Sequence, residues 1–375
     1  MNHGTSLYLD LIRFFAAAMV FVTHASYERF TGGWMREIGL GSFGNDAVVV
    51  FFVLSGLVIA YVCHAREKTL RDYALSRAAR IYSVVIPCLL LTVILDFAGS
   101  RINYAPYVGW WFQTDNPILR IVANLFLVNE LWFSSIRPFS NGPFWSIGYE
   151  FWYYVMFGIY FYIRNSSRWW LLGAVILIVG PKILILMPVW LFGVIAYRCI
   201  RLNLVPKSLG WPLFLLPVIA YVIYRYLNGP HLLLSITRSI FDPQFLDNQM
   251  AWSKEFVGSY LVGILVATHL VGAYLVSNSL SRVLQPSQQL IRVLAGLTFT
   301  LYLLHYPALQ FFTAITPGSP QSITHQALVL IGSLFLISMV ALYTERKKAM
   351  FRNIFAQLLS VIERSLESYH ARTGR

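Results

Sequence analysis

Long apolar runs separated by short polar stretches fill this chain almost from end to end. Runs near 7–25, 47–63, 81–98, 145–163, 169–182, 184–199, 210–227, 256–276, 293–313 and 326–344 are read as ten helices crossing a ~30 Å hydrocarbon layer, which takes ~20 apolar residues. Pro181, Lys182 and Pro188 interrupt the fifth and sixth. Segment 118–133 is apolar but carries Arg120, Asn124, Asn129 and Glu130, which predicts a buried or re-entrant helix on the outer side. After residue 345 the apolar positions Phe351, Ile354, Phe355, Leu358, Leu359 and Ile362 recur at helical spacing behind a basic start. Such a tail lies on the inner membrane surface or packs against the cytoplasmic loops. The fold expected is all-α and polytopic, with a transmembrane domain over 1–344 and a basic amphipathic cytoplasmic tail over 345–375.

Composition sharpens this picture. Charged residues make up 12% of the chain, about half the ~25% usual in soluble domains, and the mean hydropathy is +0.61. The first run holds Asp10 and Arg13 and has no small-residue cleavage pattern, so it reads as a retained helix and not a signal peptide. The net charge of +13 does not imply nucleic acid, because the basic residues gather in alternate loops. Loops 64–80, 164–168, 198–207 and 277–292 and the tail carry most of them, which puts both termini in the cytoplasm. Cys63, Cys88 and Cys199 have no paired spacing and read as small buried hydrophobes.

Candidate chemistry begins in the first run. Arg13 and His24 lie 11 residues apart, about three helical turns, so they share one face roughly 16 Å apart along the axis. A charge in hydrocarbon is costly and is seldom kept without use. Arg snorkelling inward and His sitting at the outer interface is the plainer alternative. Helix direction then places His24, Glu150 and His305 at similar depth, where a carboxylate beside an imidazole suits a general base. Structural roles remain open for each: Glu150 as partner of a buried arginine, His305 as a packing hydrogen bond.

Arg77 and Arg80 stand three apart on one face of a helix at its cytoplasmic end. Two guanidinium forks suit a diphosphate, and ordinary positive-inside anchoring is the alternative. Asp10 can neutralise Arg13 locally. Ser55 has no His or acid nearby in sequence, so Ser55-Gly56 reads as a close helix-packing pair. Trp145 sits where interfacial aromatics collect, and Ser146 is a candidate helix cap. His24 and His305 lack further ligands at metal spacing, so no metal site is expected.

Together these pieces resemble the membrane acyltransferase family 3. The resemblance rests on Asp10 and Arg13 followed by His24, on 51-FFVLSG-56, on Arg77 and Arg80, on 145-WSIGYE-150 with Tyr153-Tyr154, and on 301-LYLLHYP-307, in the family's order. Two positions depart from the pattern: Leu11 where the family usually has glycine, and Thr298-Phe299 where it has Ser-Tyr. The resemblance implies a multi-pass enzyme of the bacterial inner (cytoplasmic) membrane, a stand-alone member without a fused esterase-like domain. It would move an acyl group, most often acetyl, from acyl-CoA as co-substrate to a hydroxyl of a glycan or lipid-linked saccharide. His24 would be the base or acyl-handling residue, Arg13 would hold the site, and Glu150 and His305 would assist. Arg77 and Arg80 would bind the CoA phosphates, and Asp10, Trp145 and Ser146 would contact substrate.

Segments 101–120 and 227–255 face outward and are expected to select the acceptor. A direct transfer and an acyl-enzyme route are both compatible with these residues. A transporter or flippase of an anionic or acylated solute would use intramembrane Arg, His and Glu equally well, although no internal repeat is visible. A non-catalytic scaffold would leave His24 without a purpose.

Overall fold

The computed structural model describes residues 2–344 and 347–373, and all regular structure among them is helical. The long helices are α1 (His3–Ala25), α2 (Gly44–Ala65), α3 (Leu70–Ile102), α4 (Trp145–Tyr162) and α5 (Ser167–Val179). They continue with α6 (Pro181–Arg201), α7 (Gly210–Tyr226), α8 (Phe256–Leu275), α9 (Gln288–Ile315) and α10 (Ile323–Thr344). A tail helix, α11 (Lys348–Thr373), follows.

Among the described residues, eight helices are long and apolar enough to cross a membrane, against the ten expected. The correction falls on α4 and α5. Helix α5 has 13 residues, a rise of only ~20 Å. Helix α4 carries Tyr149, Glu150, Tyr153 and Tyr154 within 18 residues and buries much of its surface in the bundle, where lipid does not select for hydropathy. The boundary between α5 and α6 also moves. Gly180, at φ +74°, ends α5, and Pro181 opens α6. Lys182, expected at the end of the fifth run, is instead in the first turn of α6. It is fully buried, with its Nζ 2.8 Å from Glu130 Oε2.

Segment 118–133 is helical only over Pro117–Leu125. Arg120 and Asn124 are buried there, and their side chains bond Asp115 and the backbone of Arg137 and Ile136. The rest is irregular chain in which Glu130 bonds Ser135 and Lys182, while the buried Asn129 side chain has no hydrogen-bond partner among the described residues.

Close backbone approach holds α2 against α6. A Cβ built on Gly56 would lie 2.0 Å from the Trp190 carbonyl oxygen, and one on Gly193 would lie 2.0 Å from the Val53 carbonyl oxygen. Each glycine makes room for the other helix's backbone, as in small-residue crossings generally. The Ser55-Gly56 reading is thus seen in the packing, with Trp190 Nε1 donating to Ser55 Oγ at 3.1 Å.

Helix α9 runs through the middle of the bundle, packed on α1, α3 and α10. Every residue from Thr300 to Gln310 is buried, which is why the histidine in this stretch meets protein on all sides. The tail packs on α3: Tyr82 and Phe355 rings lie 5.7 Å apart, and Arg352 reaches Asp72 at 3.6 Å. Of the apolar tail positions, the Ile362 side chain lies outside the described residues.

Candidate active site

The inner pocket is a cavity of about 140 Å³ enclosed by α1, α2, α3, α4 and α9, with Lys348 of the tail at its edge. Arg13, Arg77, Arg80, Glu150 and Tyr154 line it, with Thr298 and Phe299. Its arginines are not equivalent. Arg77 binds Glu67 at 2.8 Å, and Arg13 binds Asp10 at 3.2 Å. Asp10 also takes Arg292, so it is a clamp on two cations and lines neither this pocket nor the outer cavities. The Arg80 side chain has no hydrogen bond or ion pair among the described residues.

Glu150 is held by a relay. Trp190 donates to Ser55, Ser55 Oγ lies 3.1 Å from Tyr154 Oη, and Tyr154 donates to Glu150 Oε1 at 2.5 Å. Because the Tyr154 proton points at a carboxylate, Ser55 must be the donor in the middle step.

A pair of histidines sits beyond this pocket. His305 is fully buried in α9, and its Nδ1 faces the Tyr302 and Leu301 carbonyl oxygens at 2.8 and 3.1 Å. Carbonyl oxygens only accept, so Nδ1 carries the proton and Nε2 of the neutral ring is an acceptor. That Nε2 lies 2.9 Å from His24 Nδ1, which also faces the Val20 carbonyl at 3.0 Å. His24 Nδ1 must then be the donor to both, and His24 Nε2 is left with its lone pair. No described residue bonds that nitrogen, and it is not sealed from the neighbouring space. Backbone geometry on α9 therefore sets the tautomer of a side chain on α1.

His24 opens into an outer vestibule of two lobes, about 720 and 660 Å³, which share His24, Tyr27, Arg36, Pro143 and Trp252. Val48 and Tyr302 line both the inner pocket and one lobe, so they form the wall between the two spaces. Tyr302 Oη donates to the Pro143 carbonyl at 3.2 Å and lies 2.6 Å from Ser146 Oγ. Ser146 therefore braces this wall. It does not cap α4, whose first turn has no side-chain cap. Trp145 stacks on Trp252 at 5.5 Å and 8°, facing the vestibule.

The predicted residues are thus divided between two spaces. His24 and His305 meet; Glu150 does not join them but lines the inner pocket with Arg13, Arg77 and Arg80. Five residues into α4 it has descended ~7.5 Å from Trp145, past the tyrosine wall. Both outward segments reach the vestibule, through Trp110 and Trp111 and through Asn228, His231 and Trp252.

Sequence reasoning missed Tyr154, Trp252, Lys348 and the vestibule arginines Arg29, Arg36 and Arg137. Arg29 packs its guanidinium 4.3 Å from the Trp111 ring and 4.5 Å from Phe30, and donates to Tyr306. Arg137 lies 4.9 Å from the Trp110 ring. Burial pushes both guanidinium groups down from their ordinary range. The signal available for the three vestibule arginines was their place in loops that the sequence reading put on the side poor in Lys and Arg.

A helical membrane protein with a cationic pocket on one side of a tyrosine wall and a histidine-lined vestibule on the other is the class defined so far. The chain matches the acyltransferase domain family over residues 6–343, and so it belongs to acyltransferase family 3, a family of membrane acyltransferases. Among curated proteins it is similar to an O-acetyl transferase of Shigella phage Sf6, 28% identical over 159 residues, which is 40% of this chain and 44% of the phage protein. It is also similar to acyltransferase MdmB of Streptomyces mycarofaciens, 28% identical over 171 residues, 42% of this chain and 41% of that protein. The alignments thus span less than half the length of these relatives. No solved structure matches the chain.

Proposed function

We propose that this protein transfers an acyl group, most often acetyl, from acyl-CoA to a hydroxyl of an envelope or secreted glycan or glycolipid. The observation that carries this reading is the His24–His305 contact of 2.9 Å, with the free His24 nitrogen turned to a large vestibule and an arginine pocket behind the adjoining wall. The basic loops on that side support a cytoplasmic position for the pocket, where acyl-CoA would be available. The eight helices of membrane-spanning length would cross a bacterial inner membrane, with both termini cytoplasmic and residues 1–344 as the catalytic domain.

Arg80 takes a CoA phosphate, supported by Arg77 and Arg13, and the pantetheine arm passes toward the Val48–Tyr302 wall. His24 Nε2 removes the proton of the acceptor hydroxyl. The oxygen attacks the thioester carbonyl, the C–S bond breaks, and CoA leaves as a thiolate that recovers the proton from His24. His305 is a positioning residue: it holds His24 Nδ1–H and accepts a stronger bond when His24 becomes imidazolium. Asp10 keeps Arg13 in place, and Glu150 balances the inner cations. Trp145, buried and stacked on Trp252, backs the ring that meets the acceptor from both lobes.

The test is transfer from radiolabelled acetyl-CoA to envelope glycan in membranes carrying wild type or His24→Ala. Label that requires His24 supports the reading. Absence of label from acetyl-CoA, succinyl-CoA and other acyl-CoA donors alike would overturn it in favour of a transporter.

A further inference from the structure

The vestibule lobe beside His24 has an unusual charge composition. Arg29, Arg36 and Arg137 line it against a single carboxylate, Glu28. None of the three arginines has an ion pair among the described residues. Other cations away from water are paired, Arg225 of the neighbouring lobe with Asp46 at 3.0 Å and the fully buried Lys182 with Glu130 at 2.8 Å; Arg80 of the inner pocket shares the unpaired state. The three also line one cavity together with Tyr27. Arg29 Nε is buried with no hydrogen-bond partner. Arg137 gives one long bond to the Trp111 carbonyl, at 3.4 Å, and no other.

Clustered like charges repel, and desolvated guanidinium groups without a counter-ion cost free energy. Positive-inside topology also disfavours arginine at this end of the helices. Guanidinium forks match carboxylate and phosphate geometry, and the Trp110 and Trp111 faces add a surface on which a ring can stack. From this we infer that the vestibule binds an anionic group of the acceptor: the hydroxyl to be acylated sits on a sugar bearing a carboxylate or a phosphate, and Arg29, Arg36 and Arg137 hold that anion while His24 faces the hydroxyl. This deepens the acyltransferase reading and rests on it for the word acceptor; the anion site itself is a property of binding.

The experiment is a saturation-transfer NMR titration of the purified full chain in a neutral detergent, with glucuronate, glucose 1-phosphate and glucose as probes. The result expected is that at least one charged sugar binds about 10-fold or more tightly than glucose, with the preference falling as salt rises. The charged sugar that binds names the anion. Arg36→Gln and Arg137→Gln should each bring it near the affinity of glucose, while Arg137→Lys keeps part of the preference. CoA binding to the inner pocket, measured in parallel, reports that each variant is folded. Equal binding of glucose and both charged sugars, or a preference that survives both Gln variants, overturns the inference. Displacement by phosphatidylglycerol with no binding of either charged sugar would mean a lipid-headgroup site and would overturn it too. If acyl transfer fails in membranes but the charged-sugar preference holds, the proposed reaction is wrong and the anion site stands.

Discussion

The inner pocket and the outer vestibule use the same residue type in opposite ways. Two of the three inner arginines are tied to carboxylates, Arg77 to Glu67 and Arg13 to Asp10, leaving Arg80 open in an enclosed space of about 140 Å³. In the outer lobe of about 720 Å³, Arg29 and Arg137 pack on aromatic rings and neither they nor Arg36 has an ion pair among the described residues, while Arg225 of the second lobe is tied to Asp46. A pocket for one recurrent ligand can be small, pre-neutralised and fixed on helices. A vestibule for a variable partner is built from connections, where shape and charge change at little cost to the core. The same contrast separates the motif residues from the loop residues in this chain.

Four substitutions test that division. The largest effect is expected at the junction. His24→Ala should lower transfer by about 10²- to 10⁴-fold, the usual share of a general base, with membrane insertion unchanged. Residual activity above a tenth of wild type would remove the histidine from the chemistry. Arg80→Ala should raise the donor KM by roughly 10- to 100-fold, the worth of a charge-assisted hydrogen bond of ~1.5–3 kcal/mol, and leave the acceptor KM alone. Arg77→Ala, which frees Glu67 as well as removing a cation, is a poorer probe. A shift of acceptor KM on Arg80→Ala would erase the inner–outer distinction.

Trp252→Ala should do the converse. Loss of the Trp145 stack, worth ~0.5–1.5 kcal/mol, should raise the acceptor KM about 2- to 10-fold with the donor KM constant. The smallest effect is assigned to Lys348→Ala, roughly 2-fold on donor KM, because a residue at the pocket's edge is screened by solvent. Kinetics with each substrate varied in turn would read all four.

Much of the inner site was legible before any coordinates. Arg13, Arg77, Arg80 and Glu150 sit in apolar or periodic stretches where a charge stands out. The separation of Glu150 from the histidines was not legible. Helix direction orders depths only to a few residues, and the wall formed by Tyr302, Ser146 and Pro143 joins three segments distant in sequence. The span count erred at α4 for a related reason. Hydropathy measures what a helix would lose by leaving lipid, and α4 is surrounded by protein. Arg29, Arg36 and Arg137 lie in short polar connections, where a lone arginine looks like any solvated loop residue.

The order of residues along the chain was enough to settle membrane residence, the all-helical class and the family, because each depends on local apolar length and on motifs read in sequence. Which atoms face one another was a matter for the folded bundle alone. The proton on His24 Nδ1 is placed by His305 Nε2 across a helix interface, and His305 in turn by carbonyl groups one turn back on α9. A hydrogen bond requires partners within ~3 Å, and only packing brings residues 281 positions apart to that distance.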